Sequence, residues 1–378
     1  MKLLEHRRIP DLRHALPSFV RLQPRRYAVS MTALARPLRL TDAPLADGFG
    51  RALRSLRVSV TDACQFRCLY CMPSEEMTFL PARELLSVDE IDRLVRLFVD
   101  LGVRNVRLTG GEPLVRRELP EIVRRLAALR GGGLDDLSIT TNGFLLERKL
   151  AALVAAGLRR LNVSLDSLVR EEFARITRRD ALAQVLAGLR AAEAYPRLRP
   201  IKVNAVALRG TSEVAIRSFA EMARQRGYVI RFIEFMPLDG GDAWSADAVL
   251  TGAELKAALE AAVPREWLPL VPVAMADPAQ TSRVYRFADG IGEIGFINPV
   301  SEPFCDACDR LRLTAEGTLR TCLFSQGETD LRGPMRSGAS DDELVELVRE
   351  AAWNKELKHH IGDPGFQAPP RNMSQIGG

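Results

Sequence analysis

Between residues 56 and 235 six short, strand-like apolar stretches alternate with amphipathic helical ones, at a spacing of about 30–35 residues. The strand candidates are 56–61, 104–109, 137–141, 160–165, 201–206 and 229–235. Helical periodicity occupies 88–101, 117–129, 145–156, 181–194 and 213–226, the first helix opened by the capping box Ser87-x-x-Glu90. Strands that alternate with helices in this way pair in parallel. Helices of similar length and apolar strands suit a curved, incomplete (β/α)6 barrel as well as an open doubly wound sheet, and in both the functional residues gather where the strands end.

Those ends carry residues that packing explains poorly. After the first strand comes Cys64-Gln65-Phe66-Arg67-Cys68-Leu69-Tyr70-Cys71, three thiols at C-x3-C-x2-C spacing. Gly110-Gly111-Glu112-Pro113 follows the second strand and Thr140-Thr141-Asn142-Gly143 the third, while Ser164-Leu165-Asp166-Ser167 and Glu234-Phe235-Met236-Pro237 mark the fourth and sixth. Three thiolates so close together converge on one metal centre. Iron–sulfur clusters usually have four ligands, so a three-Cys loop leaves one iron open. Structural zinc needs four closed ligands, and no fourth Cys or His adjoins this loop.

Beyond residue 235 the character changes. A loop with Gly240-Gly241-Asp242 leads to a helix opened by Thr251-x-x-Glu254, and Pro264, Pro269, Pro272 and Pro278 mark a linker. Period-two alternation at 282–287, 292–298, 311–314 and 319–323 predicts a small sheet domain over 264–361, closed by a helix at 341–357. It holds a second triplet, Cys305, Cys308 and Cys322, at C-x2-C-x13-C spacing, which a zinc ribbon or a second open-iron cluster would satisfy. Arg310 and Arg312 fall on one face of the strand between these thiols, a plausible clamp for phosphate or a nucleobase. Residues 362–378, rich in Pro, Gly and polar groups, read as a flexible tail ending in Gly377-Gly378.

The chain has 378 residues, and its six cysteines fall entirely within the two triplets, leaving none for a disulfide framework. No apolar run approaches the ~20 residues of a membrane span. A cytoplasmic location with reduced thiols is expected, with no membrane partner. The net charge of +5 suggests nucleic acid only until it is divided: residues 1–40 carry nine Lys/Arg against Glu5 and Asp11, leaving the other 338 residues at −2. No nucleic-acid partner is expected, and an anionic substrate must be held by locally placed cations. Residues 1–48 form a basic extension with several prolines, read as a targeting peptide, a disordered arm, or a misread start with Met31 as initiator.

The C-x3-C-x-aromatic-C loop after a first strand resembles the signature of the radical S-adenosylmethionine enzymes, whose barrel binds a [4Fe-4S] cluster and S-adenosyl-L-methionine. By that resemblance Cys64, Cys68 and Cys71 hold the cluster and the backbone of the Gly111 motif receives the methionyl amine. Tyr70 lies against the adenine, Ser164 bonds the ribose, and the Met236 backbone reads the adenine edge. Both triplets, Arg310-Leu311-Arg312 between the late thiols and the terminal Gly-Gly are together similar to the GTP 3′,8-cyclases of molybdenum cofactor biosynthesis, over roughly residues 49–378.

The resemblance implies a radical SAM barrel over 49–263 with a small C-terminal α+β domain carrying a second [4Fe-4S] cluster on Cys305, Cys308 and Cys322. Arg57, Arg107, Thr140, Lys202, Arg310, Leu311 and Arg312 match substrate-binding positions, and Arg57, Gly377 and Gly378 match catalytic ones. Arg57 and Lys202 also interrupt apolar strand sequence, which is costly unless they meet an anion. The implied reaction joins the ribose 3′ carbon of GTP to guanine carbon 8, giving (8S)-3′,8-cyclo-7,8-dihydroguanosine 5′-triphosphate. It needs an external one-electron donor and hands its product to the cyclic pyranopterin monophosphate synthase; a monomer or a homodimer would serve. Two other readings share some of these features, a radical enzyme with an auxiliary cluster that matures peptides and a non-catalytic zinc scaffold.

Overall fold

The computed structural model describes residues 43–72, 76–238 and 244–377. The basic extension up to residue 42, the Gly240-Gly241-Asp242 loop and Gly378 therefore lie outside the described residues. Six strands form the parallel heart of the sheet: β1 (Ser55–Ser59), β2 (Asn105–Thr109), β3 (Asp136–Thr141), β4 (Arg160–Ser164), β5 (Lys202–Ala207) and β6 (Val229–Glu234). They pair in sequence order, and helices α1 (Val88–Asp100), α2 (Leu119–Ala127), α3 (Leu146–Ala155), α4 (Arg170–Thr177), α5 (Leu182–Glu193) and α6 (Ser212–Arg226) return the chain between them. This is the partial barrel that the resemblance implies. The helix α4 was not expected, because its charged sequence Arg-Glu-Glu-Phe-Ala-Arg-Ile-Thr offers only Phe173, Ile176 and Thr177 to the core.

The C-terminal strands do not form a sheet of their own. After α7 (Gly252–Ala262), whose Thr251/Glu254 capping box is present, come β7 (Val271–Pro272), β8 (Arg283–Arg286) and β9 (Glu293–Ile297), and β9 pairs in parallel with β6. At the far edge β10 (Arg310–Leu313) pairs in parallel with β1, and β11 (Thr318–Arg320) and β12 (Thr329–Asp330) follow it antiparallel. Both open edges of the barrel thus gain a strand, which satisfies backbone groups that an edge leaves exposed. The chain closes with α8 (Arg332–Arg336), α9 (Asp341–Trp353) and the single turn α10 (Met373–Ile376).

The register sets the ends of the molecule apart. Because Ser55 stands opposite Arg310, the second thiol triplet enters at the amino end of β1 while the first leaves from its carboxyl end. At ~3.3 Å per residue the two sites lie roughly 15 Å apart along that strand. Outside the barrel, Leu56, Val58, Val106, Leu108, Leu137 and Ile139 pack against the helices in a continuous core. No helix among the described residues is long and apolar enough to cross a membrane.

Candidate active site

Phe66 fixes the first thiol loop. Its ring is buried and meets Phe144 and Phe173 edge to face at 5.9 and 5.8 Å. The Arg67 and Leu69 amides donate to the carbonyls of Thr177 and Ile176, both at 3.0 Å, so the end of α4 holds the loop open. Cys64, Cys68 and Cys71 all face one cleft, which encloses about 1740 Å³ of space, part of it open to solvent. Burial pushes the Cys64 thiol up to about 11, with the Glu112 charge adding, and the Cys71 thiol to about 12, with Cys64 adding. Burial and then Asp166 raise Cys68 likewise. Thiolates become favourable here when a positive metal centre binds them.

The Gly-Gly motif is clasped onto this loop. A Cβ on Gly110 would fall 2.3 Å from the Thr61 carbonyl, and one on Gly111 would fall 2.2 Å from that of Asp62. Only glycine permits the approach, and it lets Gly111 N–H donate to Thr61 O at 2.7 Å and Glu112 N–H to Ala63 O at 2.8 Å. The buried Glu112 carboxylate accepts from Leu114 N (2.8 Å), Thr141 Oγ1 (2.7 Å) and Asn142 N (2.7 Å). Burial nevertheless carries it up to about 7. Asn142 in turn donates from Nδ2 to Cys64 Sγ at 3.7 Å, so the second and third strand ends brace the first.

Tyr70 and Ser164 face the same cleft, as do Gly111, Thr140 and Met236. The Tyr70 hydroxyl donates to Asp166 Oδ2 at 2.7 Å, while Asp166 Oδ1 accepts from Val206 N at 2.9 Å. Burial lifts Asp166 to about 6.

Deeper in the barrel the walls turn cationic. Arg57, Arg107, Arg231, Arg310 and Arg312 all line the cleft. Arg312, Arg57 and Arg107 stand side by side across β10, β1 and β2. Burial holds Arg57 well below its ordinary value, and Arg312, Arg107, Arg310 and Arg231 all depress it further. Burial likewise lowers Arg107 to about 10, and Arg231 and Arg312 to about 9 each. Asn162 and Asn204 steady Arg231, accepting from Nη2 at 2.7 Å and Nε at 2.9 Å.

Cys305, Cys308 and Cys322 wall the opposite end of the cleft. Arg310 donates from Nη2 to Cys308 Sγ at 3.3 Å, and Lys355, buried, donates to the carbonyls of Arg310 (3.1 Å) and Thr321. Burial pushes the Cys308 thiol up, but Arg310 and Lys355 together outweigh it and leave the thiol below its ordinary value.

The tail, expected to be loose, is packed. Ile376 is buried in a small cluster with Leu238 and Phe324, and the Gly377 carbonyl accepts from Arg312 Nη1. Gly377 has φ +88°, with Ser59 and Thr109 each 3.0 Å from where a Cβ would stand. An apolar residue so near the end of a polar segment supplies the burial that the tail's composition hides.

Two expected substrate residues are placed differently from the arginines. Leu311 points its side chain into the hydrophobic core, because β10 alternates and its arginines take the cleft face. Lys202 lies two residues before Asn204 on β5, on the same face of the strand, where burial and then Arg231 lower it to about 8. Arg231, by contrast, was not anticipated as a site residue, and Asp166 was named only within its strand-end run. Arg231 interrupts an apolar strand as Arg57 does, and that signal could have found it.

Two family models match the chain: the Radical SAM superfamily over residues 58–223 and Molybdenum Cofactor Synthesis C over residues 228–361. A curated relative from Mycobacterium sp. (strain KMS), named GTP 3′,8-cyclase, is 47% identical over 339 residues, covering 89% of this chain and 95% of its own. Relatives of the same name from Corynebacterium glutamicum and Rhodopirellula baltica are each 45% identical, covering 88% and 90% of this chain and 89% and 94% of their own. At this identity and over this length the chain belongs to the GTP 3′,8-cyclase family of radical S-adenosylmethionine enzymes.

Proposed function

We propose that this enzyme binds GTP with its anionic groups on the buried arginines between the two thiol triplets, and joins the ribose 3′ carbon to guanine carbon 8 in the first step of molybdenum cofactor biosynthesis. The observation that carries the reading is the row Arg312, Arg57 and Arg107, in which the charges acting on Arg57 are all like charges. Such an arrangement is unfavourable until an anion fills it. Arg231 and Arg310 complete the set and Thr140 adds a hydroxyl, while Lys202 sits deeper as a reserve of positive potential.

The donors on the first loop fit a [4Fe-4S] cluster: three thiols on one cleft, with Asn142 and the Phe66 amide (3.4 Å) donating to Cys64 sulfur. When bound, that cluster and S-adenosylmethionine supply the 5′-deoxyadenosyl radical that takes hydrogen from the ribose. A methionyl ammonium is a hydrogen-bond donor, so carbonyl oxygens of the motif and the Glu112 carboxylate would receive it. Tyr70, pinned by Asp166, Ser164 and the Met236 backbone would hold the adenosyl group. Reductive cleavage requires an external one-electron donor, and the product passes to the enzyme that builds the pterin.

For the second triplet we favour a second [4Fe-4S] cluster, carried by the segment 264–361. Three thiols on one end of the cleft, as in the first triplet, support that reading. Elemental analysis after anaerobic purification and reconstitution tests this. About eight irons with matching acid-labile sulfide per chain are expected, whereas four irons plus one zinc would overturn the second cluster.

A further inference from the structure

The last turn of the chain reaches the cleft between the two thiol sites. Met373 lines the cleft that the first triplet also lines, and the buried Ser374 follows it. Three residues on, the Gly377 carbonyl accepts from Arg312, which lies on the strand leading from the second. Between Ser374 and Gly377 the Ile376 side chain is buried. The turn itself is tightly made: Asn372 N–H donates to Gln375 Oε1 at 3.2 Å, Asn372 Oδ1 accepts from Gln375 N at 3.3 Å and from Ser374 Oγ at 2.7 Å, and Gly377 N–H donates to Met373 O at 3.1 Å. A rigid turn delivers these contacts only if its near end is held in place.

Arg371 does the holding. Its guanidinium bridges two carboxylates, Glu316 through Nη1 and Glu328 through Nη2 at 2.7 Å. Both acids are mostly buried, and Glu328 is also paired with Arg320, whose side chain is 1% exposed. Arg320 stands directly opposite Arg312 in the β10/β11 ladder. The anchor and the working end of the tail are therefore fixed to neighbouring strands, through Arg371–Glu328–Arg320 on one side and Gly377–Arg312 on the other. A planar fork held by two carboxylates fixes direction as well as distance, which a lone surface pair does not.

We propose that Arg371 is a positioning residue: by bridging Glu316 and Glu328 it seats residues 372–377 so that the turn reaches the cleft between the two cysteine sites and presents the Gly377 carbonyl to Arg312. The proposal rests on the reading that this tail acts in cyclisation. Loss of the bridge frees the turn without touching either set of thiols, so S-adenosylmethionine cleavage persists while its coupling to product fails.

The test uses the full-length, two-cluster protein and compares Arg371→Met and Arg371→Lys with the parent. Hydrogen–deuterium exchange of the peptide covering 372–377 should quicken at least tenfold in Arg371→Met, with iron content and melting temperature unchanged. The ratio of cyclised nucleotide to 5′-deoxyadenosine should fall at least fivefold. Arg371→Lys, which keeps the charge but loses the fork, should fall between the two. Glu316→Gln, which leaves Arg371 one partner, should shift both readouts in the same direction and serves if Arg371→Met is poorly folded. Unchanged exchange in Arg371→Met and Glu316→Gln would overturn the proposal. Faster exchange with an unchanged product ratio would leave the seat established and overturn the tail's part in cyclisation.

Discussion

Arg57 and Arg312 stand opposite one another in the β1/β10 ladder, two guanidiniums in register on the cleft side of the sheet. Each is lowered first by burial and then by a neighbouring arginine, Arg312 for the one and Arg310 for the other. The pair is a cost to the empty fold that an anion removes. Arg57→Met should therefore leave the melting temperature of the nucleotide-free protein unchanged or higher, while weakening GTP binding at least tenfold, about 1.4 kcal/mol. Calorimetry on the two proteins checks both halves, and a clear loss of stability with intact GTP affinity would make Arg57 a structural residue.

Glu112 supplies a pH prediction. Burial raises its carboxyl to about 7, well above the ordinary ~4.3. With a raised value the neutral form suits the ligand-free fold, so this group's contribution to stability declines as pH rises from the ordinary range through 7. A bound ammonium favours the ionised form, and S-adenosylmethionine affinity should consequently fall as pH drops below 7, approaching tenfold per unit. Equilibrium dialysis between pH 5.5 and 8 should show this slope in the parent and a flat profile in Glu112→Gln. A flat parent profile would remove Glu112 from the ammonium site.

Gly377 tests the packed tail. Alanine at φ +88°, with Ser59 and Thr109 at 3.0 Å, cannot keep the carbonyl on Arg312 without strain. Gly377→Ala should therefore lower cyclised product at least tenfold while leaving the iron content of both sites intact. Full cyclase activity in this variant would show that the seat of Gly377 is incidental.

Much of this was legible in the chain, for identifiable reasons. The six β/α units announce themselves because each strand and each helix writes its own period into neighbouring residues, and the Ser87/Glu90 capping box forms as its spacing predicts. Both thiol triplets were legible because metal ligands cluster in sequence. Pairings between distant segments were not. Nothing near residue 310 says that β10 will lie against β1, although that placement puts Arg312 beside Arg57. The Asp166 carboxylate that pins Tyr70 is 96 residues away from it, and Arg371 finds its acids 55 and 43 residues back. The Leu311 side chain turns into the core because strand alternation sends it away from its flanking arginines, which a run of matched positions does not reveal.

The thiol sites should fail independently. Cys322→Ala is expected to retain the first cluster, as about four irons per chain, and to lose productive GTP binding, since the triplets leave opposite ends of β1. Iron analysis together with GTP titration measures this, and parent-like GTP affinity in Cys322→Ala would detach the second site from the substrate.

The central claim is that a hydrogen leaves the ribose 3′ carbon of GTP held on these arginines. The most direct measurement supplies the reconstituted protein with reductant, S-adenosylmethionine and GTP deuterated at the 3′ carbon, then weighs the 5′-deoxyadenosine formed. The account predicts one deuterium per 5′-deoxyadenosine in step with cyclised nucleotide, and none of that product from deuterated ATP. Unlabelled 5′-deoxyadenosine from GTP, or equal labelling from ATP, would contradict it.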